Sequence, residues 1–219
     1  MDPSLTVPTF TTQASLLATT PSDRAISYTS QSGIHFLRQS SEWKEVQTAH
    51  YGQVSLETLI ASYGSENRTL ILAGPIQVGS SSTVTVPANL HLDIRKNGYL
   101  NLTSGQTLVL NSPITAGLYQ IFRYVDSTCA VQFGINVRQT LYPEWWGAVG
   151  NETTDDTAAI QRMIAVPSPL ELQNKLHFSS GKNYRITDTL EFVNTGASFA
   201  GSYVVSGYGS YLKWYGPSN

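Results

Sequence analysis

Charge is scarce in this chain. Asp, Glu, Lys and Arg make up 13% of its 219 residues, with 13 basic against 15 acidic side chains and a formal net charge of -2. The basic residues are scattered and form no stripe, which removes the electrostatic footprint a nucleic-acid binder needs. Cysteine is reduced to Cys129, inside the apolar stretch Cys129-Ala130-Val131, so neither an intrachain disulfide framework nor a cysteine zinc site can be built. Cys129 reads as a small buried hydrophobe. Long apolar runs are missing too: no segment is long enough to span a bilayer, and Met1-Asp2-Pro3-Ser4-Leu5-Thr6-Val7-Pro8 lacks the basic and apolar regions of a secretory signal. The expectation is a product of cytoplasmic synthesis with no membrane insertion.

What the chain does have is 41% hydrophobic residues and abundant Ser, Thr, Asn, Gly and Tyr. That balance suits a mainly β protein with polar, uncharged outer faces, and the length allows one large or two small β-rich units. Residues 1–15, rich in Thr, Ser, Pro and Gln without periodicity, read as an extended arm. Residues 16–66 read as a small β-rich anchoring module, with short strands over 25–28, 34–37 and 42–46 and a helix over 54–62 behind a Ser55 cap.

Over residues 67–140 the pattern becomes a run of short alternating strands, 69–72, 83–86, 90–94, 99–102 and 107–110, divided by polar turns. Recurrence every 8 to 10 residues fits either a sandwich or the successive faces of a solenoid, and periodicity does not separate the two. In residues 141–219 the clearest helix is predicted over Thr153–Ala165, with two carboxylates at its positive end and Pro167 and Pro169 beyond it. Strands are expected after it at 175–178, 183–187, 189–192, 198–200, 203–205 and 211–214.

Candidate chemistry is sparse. Asp188 and Glu191 stand three apart, a spacing that does not bring both to one face of regular β structure, and Asp93 and Glu144 are isolated. The histidines His35, His50, His91 and His177 have no metal-ligand spacing, and neither a phosphate-cradling Gly-Lys loop nor a nucleophile elbow is found. No catalytic residue, metal ligand or cofactor is therefore assigned. Trp145 and Trp146 read as packing residues at the junction ahead of the helix, and Thr154, Asp155 and Asp156 as its capping group. Tyr208, Tyr211 and Trp214 are the candidate sugar-stacking residues, with coil stacking as their plainer role.

Tyr142-Pro143-Glu144-Trp145-Trp146-Gly147-Ala148-Val149-Gly150, followed by Thr154-Asp155-Asp156-Thr157-Ala158-Ala159-Ile160-Gln161, resembles the opening of pectate-lyase-like β-helix domains. There an aromatic-Gly-Ala-x-Gly turn leads into a helix that caps the first coil. Residues 176–186 and 205–212 are similar to that family's following coils, so the resemblance covers about residues 141 to 215. Residues 10–46 resemble the small β module that precedes such helices in phage tailspikes, and residues 69–122 resemble an earlier set of coils.

The resemblance implies a small N-terminal β module followed by the first coils of a right-handed parallel β-helix with a short capping helix. It further implies the N-terminal anchoring and assembly region of a phage tailspike or tail fibre: a virion tail component that forms a homotrimer, binds other tail proteins through its N-terminal region and serves host attachment, with host surface polysaccharide a further partner. The alternatives are a polysaccharide lyase or hydrolase whose catalytic coils lie outside this chain, and a bacterial carbohydrate-binding β-helix domain.

Overall fold

The computed structural model describes residues 54–65, 67–167, 175–192 and 204–216 in full, together with the backbone of five strands ahead of them. Four of these, β1 (Thr9–Phe10), β2 (Ile26–Thr29), β3 (His35–Gln39) and β4 (Glu42–Val46), form one sheet in that order. β1 runs parallel to β2, and β2–β3–β4 is an antiparallel meander. Apart from Thr9–Phe10, the arm expected over residues 1–15 lies outside the described residues.

The body of the protein is a parallel β-helix, so the solenoid and not the sandwich accounts for the alternating strands. Its first coil comprises β6 (Arg68–Leu72), β7 (Pro75–Gln77) and β8 (Thr83–Val86). The second comprises β9 (Leu90–Ile94), β10 (Tyr99–Leu102) and β11 (Thr107–Leu110), and the third β12 (Ile114–Ala116), β13 (Phe122–Tyr124) and β14 (Ala130–Phe133). Each strand pairs in parallel with its equivalent one coil away. Leu70 is level with Leu92 and Leu92 with Ile114, a step of 22 residues, while Val84, Leu108 and Val131 are level at steps of 24 and 23. β5 (Ala49–His50) adds a further parallel strand to β6.

Alternation along each strand sends one set of side chains inward. Leu70, Leu72, Leu92, Ile94, Leu100, Leu102, Leu108 and Leu110 are all buried, each contributing about 1.5–3 kcal/mol relative to exposure. The turns are closed by a buried polar clamp. The Gln106 side chain accepts from the Thr103 amide at 3.2 Å and donates to the carbonyls of Gly79 and Ser81 at 3.2 and 2.8 Å, tying two successive coils together.

Helix α1 (Leu56–Tyr63) lies over the first coil. Ser55 caps it by accepting from the Thr58 amide at 3.2 Å, and Leu56, Leu59 and Tyr63 are its buried face. The Glu57 amide donates to the Val78 carbonyl at 2.9 Å, and its carboxylate accepts from the Ser80 amide and the Ser81 hydroxyl.

The second half changes design. Its fourth coil holds β15 (Thr140–Leu141), a 3-10 turn over Pro143–Trp146, β16 (Asn151–Asp155) and helix α2 (Thr157–Ile164). The fifth holds β17 (Lys175–Phe178) and β18 (Asn183–Ile186), and the sixth β19 (Val204–Gly207) and β20 (Tyr211–Trp214). Sheets β15–β17–β19 and β16–β18–β20 are parallel throughout, with Leu141, Leu176 and Val205 level at steps of 35 and 29 residues.

Three sequence expectations are corrected. The helix predicted from Thr153 begins at Thr157, because residues 151–155 pair with β18 instead. Thr189–Phe192 is not a strand, and Glu191 is held by both ends of the Gln161 amide. The short strands β7, β12, β13, β14 and β15 went unforeseen. The strand expected over 198–200 lies outside the described residues.

Gly98 sits where a Cβ would collide with the Leu72 carbonyl oxygen of the preceding coil. Gly98→Ala is expected to lower stability by about 1–3 kcal/mol through overpacking. Equilibrium urea denaturation checks this, with the midpoint falling and the slope unchanged.

Candidate functional site

Trp145, Trp146, Thr154, Asp155 and Asp156 all lie on the fourth coil, where the two halves of the solenoid meet. The 3-10 turn over Pro143–Trp146 takes the place of a strand on the second face. The Leu100 amide donates to the Ile121 carbonyl at 2.7 Å, and the Ile121 amide donates to the Trp145 carbonyl at 3.0 Å, so the ladder runs on into the turn. Gly147, with φ of 101°, ends the turn in the left-handed region that favours glycine.

Both tryptophans are buried. Trp145 Nε1 donates to the Gly117 carbonyl at 3.0 Å, and Trp146 Nε1 donates to the Tyr124 hydroxyl at 3.1 Å. Phe122 and Trp146 pack with ring centroids 5.1 Å apart. These indoles are sealed inside the junction, and no ligand reaches their faces.

The acidic pair divides its work. Asp156 is buried and turned back up the chain, accepting from the amides of Val149 and Gly150 at 2.7 and 3.1 Å, and makes no side-chain cap on its own helix. Asp155 is the residue that caps: it accepts from the Thr157 amide at 3.0 Å, the Thr157 hydroxyl at 2.6 Å and, through its other oxygen, the Thr187 hydroxyl at 2.6 Å. Thr154 lies on the exposed side of β16, where its amide donates to Asn151 Oδ1 at 2.8 Å. Asp155 is held below the usual carboxylate range by the Thr157 and Thr187 hydroxyls. With each carboxylate already accepting such donors, the pair closes turns.

Glu144, isolated in the sequence, is only 4% exposed in the structure. One carboxylate oxygen accepts from the Tyr184 hydroxyl at 2.7 Å, and that phenol oxygen accepts from the Ser179 amide at 3.0 Å. Burial and then the Glu144 carboxylate push the pKa of the Tyr184 hydroxyl well above its ordinary value. Glu144 Oε2 and Ser179 Oγ have no hydrogen-bond partner among the described residues. No local pattern points to this network, because Glu144 and Tyr184 are 40 positions apart and meet only through coil stacking.

The candidate stacking residues are not brought together. Tyr208 sits in the turn between β19 and β20 and is 87% exposed. Tyr211 is level with Asn183 on one side of β20, whereas Trp214 is level with buried Ile186 on the other. Asp93 pairs with Arg95 at 2.6 Å, and His177 shares a hydrogen bond of 2.8 Å with Ser206. Among the described residues no group of acidic, His or Cys side chains is arranged to hold a metal ion, and no helix is long and apolar enough to cross a membrane. No family model matches the chain, and neither does any curated protein or any solved structure.

Two measurements check the junction. Because its folded pKa lies below the ordinary value of 3.8, Asp155 contributes stability that is complete above that pH and lost as the pH falls through the lower folded value. Asp155→Ala should cost about 0.5–2 kcal/mol near neutrality. In thermal melts from pH 7 to 2, the gap to the wild type is expected to hold down to about pH 4 and close below it. Tyr184→Phe leaves the buried Glu144 carboxylate without its O–H donor and should cost about 1–3 kcal/mol. Adding Glu144→Leu to Tyr184→Phe is expected to return part of that loss in urea titrations, whereas additive losses would show that the two side chains are not coupled.

Proposed function

We propose that the chain is a structural virion component, the anchoring and assembly region of a phage tailspike or tail fibre. In this reading it attaches to other tail proteins through its N-terminal region, associates as a homotrimer, and launches a β-helix used in host-surface attachment. It is made in the host cytoplasm and resides in the virion tail.

The observation that carries the reading is the uncovered face of the sixth coil. Val205, Leu212 and Trp214 are level with the buried Leu176, Tyr184 and Ile186, yet they are 53%, 49% and 53% exposed. An apolar end beside two edge strands is a surface that polypeptide covers, from further coils or from neighbouring chains. The first coil, by contrast, lies under α1. The small sheet of β1 to β4 precedes the solenoid, in the position that the resemblance to spike proteins gives to the tail-binding module.

The exposure of Tyr208 and Tyr211 favours a second reading, a carbohydrate-binding β-helix domain, since aromatic faces stack on the apolar faces of sugars. Light scattering on the whole chain over a range of concentrations separates the two. The spike reading expects a stable particle of three 23.9 kDa chains. A monomer at every concentration overturns it and leaves the exposed tyrosines as the better guide to function.

A further inference from the structure

The fourth coil carries helix α2 on the face where the first three coils carry a strand. Stacked strands lie about 4.8 Å apart, whereas a helix with its side chains is about 10 Å across. A helix therefore cannot seat against the edge of β14 as another strand would, and a gap remains between them. It is a cavity of about 300 Å³, lined by Tyr124, Cys129 and Val131 from the third coil and by Ala158, Arg162 and Val166 from α2 and its end.

The wall is mostly apolar, and apart from Ser127 and Arg162 its polar side chains are committed. The Cys129 thiol donates to the Thr103 carbonyl at 3.1 Å, and Gln161, at the margin, spends both ends of its amide on the Glu191 backbone. The Tyr124 hydroxyl accepts from Trp146 Nε1, and burial pushes its pKa up to about 12, so it stays neutral. Arg162 is the sole charged group in the lining. Its guanidinium lies 5.0 Å from the centre of the Tyr124 ring, and among the described residues no carboxylate pairs with it.

We propose that this cavity is a binding site for a small carboxylate with an apolar body, of the size of a medium-chain fatty acid. The carboxylate pairs with Arg162, whose planar fork suits two parallel hydrogen bonds, and the chain lies between Val131 and Ala158. The volume falls at the small end of ligand pockets, roughly 300–1,000 Å³, with room for a chain of about eight carbons. A sugar fits the wall poorly, because most of its hydroxyls would lose water without gaining partners. The proposal stands apart from the spike reading and survives its failure.

Titration calorimetry of the whole chain with sodium octanoate, 1-octanol and octylammonium chloride at low salt tests it. Octanoate is expected to saturate one site, octanol to bind at least tenfold more weakly, and octylammonium to give no saturable heat. Arg162→Gln should weaken octanoate at least tenfold and leave octanol unchanged, with Arg162→Lys intermediate. Ala158 is exposed and lines the cavity from the helix side, so Ala158→Leu fills the cavity without disturbing the core and should abolish binding of both. Circular dichroism confirms that each variant is folded, and if Arg162→Gln is not, Ala158→Leu decides. No saturable heat with octanoate, equal affinity for octanoate and octylammonium, or octanoate binding unchanged in Ala158→Leu would each overturn the proposal.

Discussion

Every coil is held in place by the register of the parallel ladder beneath it. The side-chain period of a strand is two, so a slip of one residue between β8 and β11 would turn Leu108 and Leu110 outward and bring Thr107 and Val109 into the core. The slip would cost several buried leucines at once, while the backbone hydrogen bonds could be remade. The aliphatic column is therefore what selects the register, and the ladders follow from it. The Gln106 clamp reinforces the choice, because its amide reaches Gly79 and Ser81 only when the turns of two coils are level.

The fourth coil shows how one solenoid design passes into another. Three-stranded coils step by 22 to 24 residues, but Leu141, Leu176 and Val205 are separated by 35 and 29. At the changeover, a side chain and a turn stand in for missing strand backbone. The Ile114 amide, which another strand would have satisfied, donates to Gln139 Oε1 at 3.0 Å, and Trp145 supplies the carbonyl that receives Ile121. A continuous buried cluster runs through the transition, so the two halves share one core. The density of aromatic side chains there follows from geometry, since a turn and a helix leave more volume to fill than a strand does.

Much of this was legible in the sequence. The strands at 83–86, 90–94, 99–102 and 107–110 were read at their observed bounds, because four or five strictly alternating residues between polar turns carry a strong local signal. Ile114–Ala116, Phe122–Tyr124 and Pro75–Gln77 are three residues long, too short to establish a period. The start of α2 was misplaced for a physical reason: Asp155 and Asp156 look like an N-terminal acidic pair, but Asp156 is used to fold Val149 and Gly150 back onto it. The choice between sandwich and solenoid lay beyond local pattern, since both demand the same alternation and differ only in which distant strands pair. The Glu144–Tyr184 contact was hidden for the same reason.

The substitution of a helix for a strand has a mechanical consequence. Hydrogen bonds between coils run along the stacking axis, so each level of the rod is tied to the next by as many ladders as it has strands. Levels one to three are tied by three ladders, and the fourth by fewer, with α2 held to its neighbours by side-chain contacts and by the Thr157 and Gln161 hydrogen bonds to Thr187 and Glu191. No strand ladder joins the third level to the fourth, so under a bending load the rod is expected to yield first between them, where packing around the tryptophans takes the place of the ladders.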